Sequence, residues 1–443
     1  MATLCTLLTL LASANAAHKI GVSDRTFFRR RYLTRHEGVV YAPLVDVHPN
    51  VLDSTHIEIS SAPDGYITAS AMAFMQGLYP PAAQEECFNT SAHNGKYSEN
   101  QKHLSGPVCK YQYPDIKTFP TCNDRNSIAI QGHVGCNALN DVQIDFEEEC
   151  PVADSLNHKH KKFYHQLWDR IFAGTFPRSE TNFYNAYDLY DYALWRWTHD
   201  PEKTRRIMTA SELAQLRALA SAEQVLRYAN LTDPTLDPDA LKLRGIAGRT
   251  LASHVPRLFR ANIASGGVHN KLNLLFTTHE PFLSFFALTK PGGDLLRDIF
   301  SELPYPGATI IFELYSNAAW QEDSFPPLNH LRVRFLYRNS TAPDVPLRLY
   351  PIFGHPLCSM SWKWFEAAMN GIGIEDAREW CRVCGGNNPG HDGYEDGEEE
   401  CFCEAIRREE EAKKGKKMSQ LTIVLIVLVA VLGTASLLLV LVL

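Results

Sequence analysis

Residues 272–286 read LNLLFTTHEPFLSFF. An unbroken apolar run stops at His279-Glu280, and Pro281 opens a second one. An imidazole beside a carboxyl is a pair suited to moving protons. The imidazole can serve as base or nucleophile, and the carboxyl can hold or donate a proton. The plainer reading is a turn between a buried strand and a buried helix. A second cluster, Cys381, Cys384, Cys401 and Cys403, has the number of thiolates that zinc takes. In an oxidising compartment the same four cysteines read as disulfides. No metal and no cofactor is expected.

The flanking text says what must position these groups. KLNLLFTT reads as a buried strand, and PFLSFFALT as a helix with Pro281 in its first turn. GATIIFELY and HLRVRFLYRN read as two more strands, antiparallel neighbours joined by an irregular loop. Upstream, VVYAPLVDV and HIEIS are short strand-like runs, and YITASAMAFMQGLYPP is a helix closed by Pro80-Pro81. Residues 82–150 are polar, loop-rich and hold five cysteines. Residues 151–265 are mostly helical. Thr209 and Glu212 form a capping box ahead of one helix, Pro256 interrupts another, and NAYDLYDYALWRW carries an aromatic stripe that reads as core rather than a ligand box. Helices contiguous in sequence and flanked by strands suggest a cap inserted into an α/β core.

The totals bound the class. The 443 residues are 45% hydrophobic with a net charge of −7, ample for a core, and no basic stripe of the kind nucleic acid requires is present. Eleven cysteines leave ten if Cys5 departs with a leader, and sequons occur at Asn89, Asn230 and Asn339. Together these favour an oxidising, lumenal setting for residues 17–417. Leu421 to Leu443 is 23 residues without a charge, enough to span a hydrocarbon core of about 30 Å. The globular part is therefore expected on the lumenal or extracellular side of a single-pass membrane protein, endosomal, lysosomal or at the cell surface. Lys413, Lys414, Lys416 and Lys417 before that run argue for the opposite orientation, and a lipid-anchor signal is an alternative to a spanning helix.

Three blocks in order resemble the histidine acid phosphatases: ISSAPDGYITASAMAFMQGLYPP (59–81), KLNLLFTTHEPFLSFFALT, and GATIIFELY…LRVRFLYRN…PLC. FFRRRYL (27–33) resembles the helix end that precedes the first. Coverage is roughly residues 20–365. The membrane-anchored acid phosphatases of trypanosomatid protozoa are the type it is most similar to. The resemblance implies an α/β, mixed-sheet histidine-phosphatase core with an inserted all-helical cap domain and a C-terminal transmembrane segment. It implies phosphomonoester hydrolysis at acidic pH, in which a His in an R-H-G-x-R-x-P turn becomes a phosphohistidine. Arginines clamp the phosphoryl oxygens, and a second His followed by an acid protonates the leaving oxygen. His279 and Glu280 match that second His and acid, with Glu for Asp.

The chain departs from this pattern elsewhere. Ser60 stands where the resemblance expects a clamp Arg, and Tyr66 where it expects another. No R-H-G-x-R-x-P turn occurs; RHEG (35–38) has an inserted Glu37, which makes His36 a poor nucleophile. Residues 1–16 read either as a signal peptide, with Ala14-Asn15-Ala16 as a small-x-small site, or as the family helix leading into FFRRRYL in a truncated chain. The expected boundaries are 1–16 for that segment, 17–150 with 266–370 for the core, and 151–265 for the cap. A Cys-rich juxtamembrane stretch fills 371–417, and a transmembrane helix fills 418–443. Whether the chain is an enzyme stays open at this point. One function is acid phosphatase, and the alternative is a non-catalytic membrane-bound binding or trafficking protein. The expected partners are a phosphomonoester substrate or ligand and the lipid bilayer, with no nucleic acid; a homodimer is one oligomeric state open to it.

Overall fold

Eight strands form one mixed sheet in the computed structural model, which describes residues 6–12, 44, 47–80, 112–119, 126–234, 236–317, 325–340, 345–374, 376–385, 403–408 and 411. The order is β3-β2-β4-β1-β5-β6-β7, with β8 also paired to β6. These strands are β1 (Thr6–Ala12), β2 (Ile57–Ser61), β3 (Ile116–Thr118), β4 (Leu272–Thr277), β5 (Thr309–Ser316), β6 (Leu331–Arg338), β7 (Arg348–Tyr350) and β8 (Ser359–Ser361). β3, β2, β4 and β1 run parallel. β5 is antiparallel to β1 and to β6. All six residues of β4 are buried, which explains its unbroken apolar run: a strand covered on both faces cannot alternate.

The helices are α1 (Gly65–Leu78), α2 (Ile128–Gln131), α3 (Asn137–Glu149), α4 (Pro151–Leu167), α5 (Ala186–His199), α6 (Pro201–Ile207), α7 (Ala210–Tyr228), α8 (Pro238–Arg244), α9 (Ile246–Ala264), α10 (Glu280–Thr289), α11 (Arg297–Phe300), α12 (Trp362–Ile372) and α13 (Ala377–Val383). The Thr209–Glu212 capping box is formed at the start of α7. Pro256 lies inside α9 without ending it. Val255, Pro256 and Phe259 are all buried, and that packing outweighs the lost backbone bond.

Two apolar clusters carry most of the packing. One joins the sheet to α1, α9, α10 and α12 through Phe74, Val255, Phe259, Phe276, Phe285, Phe312 and Phe365. The other lies among α4, α5 and α7, and reaches the first only through residues such as Leu283 of α10. α9, inside the stretch expected to be cap, therefore packs with the sheet. A third cluster is stapled by Cys136–Cys384 and Cys381–Cys403. The cysteines of the CxxC pair thus take two different partners and hold no zinc between them.

Thr6–Ala12 is a correction to the expectation for residues 1–16. It is neither a helix nor separate from the fold: it is the strand between β4 and β5, in register from Leu7↔Leu272 to Ala12↔Thr277. Leucine favours helices only weakly, and pairing along both edges of a strand satisfies its backbone groups as completely. His36 and the expected membrane segment 418–443 lie outside the described residues. Among the described residues no helix is long and apolar enough to cross a membrane.

Candidate functional site

β1, β2 and β4 end together, with Ala12 opposite Thr277 and Ser61 opposite Phe276. At this edge β4 passes through Thr278 to His279, the residue that caps α10. The His279 carbonyl accepts from the Phe282 and Leu283 amides, and Pro281 occupies the first turn. Strand end followed at once by helix start is what the sequence break at His279-Glu280 signals, and it places both side chains at the carboxyl edge of the parallel strands.

Residues far apart in sequence complete the cluster. Thr277 donates to the Ile130 carbonyl and so ties α2 to the end of β4. The turn after α2 carries His133, whose Nε2 lies 3.6 Å from Glu280 Oε1. Gly132 seats that turn on α9: a Cβ there would fall 2.1 Å from Thr250 Oγ1. His279 Nδ1 lies 3.8 Å from Glu280 Oε2. On its other side, His279 Nε2 is 2.7 Å from Gln224 Oε1 of α7, and the ring stacks at 4.4 Å on Tyr187 of α5. Asp64, just before α1, accepts from Gln131 Nε2 at 3.1 Å.

Glu280 is thus a carboxylate between two imidazoles. Burial pushes its carboxyl up, but His279 and His133 outweigh that and bring it down to about 2. Burial holds both imidazoles below the usual histidine range, against the pull of Glu280. The groups facing this trio are mostly acids and phenols. Tyr66, in the first turn of α1, is pushed up to about 12 by burial and then by Asp64, Glu280 and Asp191. Tyr187 is pushed well up by burial, then Asp191 and Glu280. Asp188 is raised by burial, against Arg227 and His279. Arg227 itself is engaged, donating to Glu223, to Gln143 Oε1 and to the Tyr184 carbonyl.

Four buried polar atoms here have no hydrogen-bond partner: His133 Nδ1, Thr278 Oγ1, His279 Nδ1 and Glu280 Oε2. Groups left like this inside a protein are costly unless a proton, water or ligand reaches them. The arrangement can take up a proton between His279 Nδ1 and Glu280 Oε2. Three cavities are delineated in the molecule, and none of the three is lined by His279 or Glu280.

Structures that overlap this chain are phytases and a related phosphatase. Hafnia alvei phytase in its apo form overlaps with a TM-score of 0.48 at 12% identity, over 85% of this chain and 97% of the phytase. A Klebsiella phytase gives 0.47 at 10%, over 84% and 97%. The Bifidobacterium longum multiple inositol polyphosphate phosphatase, with inositol hexasulfate, gives 0.40 at 12%, over 72% and 73%. No family model matches the chain, and no curated protein does. None of these overlaps reaches the level at which a shared reaction follows.

Of the residues singled out in the sequence, His279 and Glu280 come together as their adjacency requires. Ser60 is buried in β2, and Tyr66 is partly exposed beside Asp64. Sequence reasoning missed His133, Asp64, Gln224 and Tyr187. Tyr187 belongs to the aromatic stripe read as core, and is the residue of that stripe that meets an imidazole. His133 and Gln224 carry no local signal, because each reaches the cluster only through tertiary packing. Among the described residues no group of three His, Cys, Asp or Glu side chains is arranged to hold a metal.

Proposed function

We propose that this protein is a histidine acid phosphatase-like scaffold that keeps the imidazole–carboxylate side of a phosphatase site and does not turn over phosphomonoesters. One observation carries this reading. His279 and Glu280 stand at the carboxyl edge of the parallel strands with His133 on the second carboxylate oxygen, while the other charges acting on the cluster are chiefly Asp64, Asp188 and Asp191. A phosphoryl group in transfer carries negative charge on its equatorial oxygens and is stabilised by fixed cations. Carboxylates there oppose it. Ser60, at the position where the resemblance expects a clamp arginine, supplies no charge; a missing donor of that kind costs about 3 kcal/mol, roughly a hundredfold in rate. A Glu280 carboxyl held near 2 is also an ion rather than a proton donor in mildly acidic solution.

On the same reading the chain is of the trypanosomatid, membrane-anchored type, with residues 17–417 lumenal or extracellular. The uncharged run 421–443, the sequons and the two disulfides support this. Its ligand is then a phosphomonoester-like or other small molecule bound without hydrolysis. The test is hydrolysis of p-nitrophenyl phosphate by the full chain at about pH 5, beside His279→Ala. Both proteins are expected at background. Robust turnover by the unaltered chain, abolished in His279→Ala, would establish an active phosphatase instead.

A further inference from the structure

We infer that Glu223 and Gln224 of α7 fix the proton of neutral His279 on Nε2 and so leave Nδ1 as the basic nitrogen facing Glu280. This rests on the proposed function only in taking His279 and Glu280 as the working pair of the site.

The chain of constraints starts at Arg227, which donates through Nε to Glu223 Oε1. Glu223 is 2% exposed, and its other oxygen, Oε2, lies 2.8 Å from Gln224 Nε2. A carboxylate only accepts hydrogen bonds, so the Gln224 amide must turn its NH2 toward Glu223. Its oxygen is then left facing His279 Nε2 at 2.7 Å. An amide oxygen also only accepts, so Nε2 must be the nitrogen that carries hydrogen. The opposite tautomer would let Nδ1–H point at the Glu280 carboxylate, a charged acceptor on the same helix turn. Without Gln224, that arrangement wins, because a charged acceptor attracts the imidazole N–H more strongly than a neutral one.

The consequence is visible in the unpartnered atoms. His279 Nδ1 and Glu280 Oε2 are both buried without a partner, and both present lone pairs to one another. The next proton to enter the site is taken up between them and leaves the Gln224 bond intact. The groups facing His279 are Glu280 on α10, His133 from the turn after α2, Asp188 and Tyr187 from α5, and Gln224 from α7. His133 opposes that uptake, and Glu280 and Asp188 favour it. Gln224 and Glu223 are positioning residues: they touch neither a ligand nor the shared proton, but they decide which nitrogen offers it.

The test uses the full chain labelled with 15N in histidine side chains, at about pH 8, where an imidazole is neutral. The His279 signal is identified by its loss in His279→Gln. The expected spectrum shows a protonated Nε2 and an unprotonated Nδ1. Gln224→Met is expected to move the proton to Nδ1, and the isosteric Glu223→Gln to give both tautomers, since its amide can face Gln224 either way. Should Gln224→Met fail to fold, Glu223→Gln carries the test alone. An Nδ1–H tautomer in the unaltered chain, or Nε2–H unchanged in every variant that folds, would overturn the inference. Hydrolysis of p-nitrophenyl phosphate with an Nε2–H tautomer would sink the proposed function and leave this inference standing.

Discussion

Gly248→Ala should destabilise the protein by about 2 kcal/mol, although the same exchange in most helices stabilises. Gly248 lies in the first turn of α9 against α10. A Cβ built there falls 2.4 Å from the Phe285 nitrogen, 2.6 Å from the Ser284 carbonyl carbon and 2.8 Å from the Phe285 Cα. All three are backbone atoms of α10, so no side chain can swing away. Ordinary contact needs about 3.4 Å, so the helices must part by roughly 1 Å where Leu251 and Phe285 pack. Overpacking of this kind costs about 3 kcal/mol at the upper end of its usual range. Alanine returns about 1 kcal/mol in helix propensity, which leaves the figure above. At the usual unfolding entropy per residue, a chain of this size should lose about 3 °C in Tm. Gly371→Ala in α12 is the control. Nothing lies within 4 Å of its Cβ, so a gain of about 0.5 kcal/mol is expected. Thermal melts of the two variants beside the parent make the measurement. Equal or higher stability for Gly248→Ala, with Gly371→Ala behaving as expected, would refute the close approach of α9 and α10.

Three further outcomes follow from buried groups and cross-links. Arg334→Met should cost about 3 kcal/mol in urea unfolding, because Arg334 pairs across the strands with Glu313, which is 1% exposed; the double variant Glu313→Leu/Arg334→Met should recover most of it. Cys136→Ser should lower stability by about 4 kcal/mol, since the lost bridge spans a sequence separation of 248, and reducing agent should have no further effect through that pair. His254 is held down to about 4 by burial and then by Arg257. The unfolded chain binds this proton more readily, so stability should be unaffected above about pH 6.5 and fall by about 2 kcal/mol as the pH drops toward 4. His254→Gln should flatten that part of a stability-versus-pH curve.

What was legible in the sequence was local. Six apolar residues in a row, a His-Glu break and a first-turn proline describe β4, His279, Glu280 and α10 because each step is a short-range constraint. The capping box of α7 was equally plain. β1 was not, because TLLTLLA has no turn signal or polar alternation, and its strand state comes from partners more than 250 residues away. A leucine-rich stretch near an N-terminus is read more readily as a leader or a helix. The candidate site divides in the same way. His279 and Glu280 are neighbours in the chain, whereas His133 and Gln224 are brought in by the tie from Thr277 to Ile130 and by the packing of α7 on α10.

The two bridges near the C-terminal end have a consequence for cutting the polypeptide. Cys381 and Cys384 sit three residues apart, yet one holds Cys403 and the other holds Cys136 at the start of α3. A protease that severs the chain anywhere between 386 and 402 therefore frees nothing, since whatever follows Cys403 remains bolted to α13. Shedding of the folded part from its tail needs either a cut beyond 403 or reduction of the Cys381–Cys403 bond, and electrophoresis with and without reductant tells the two apart.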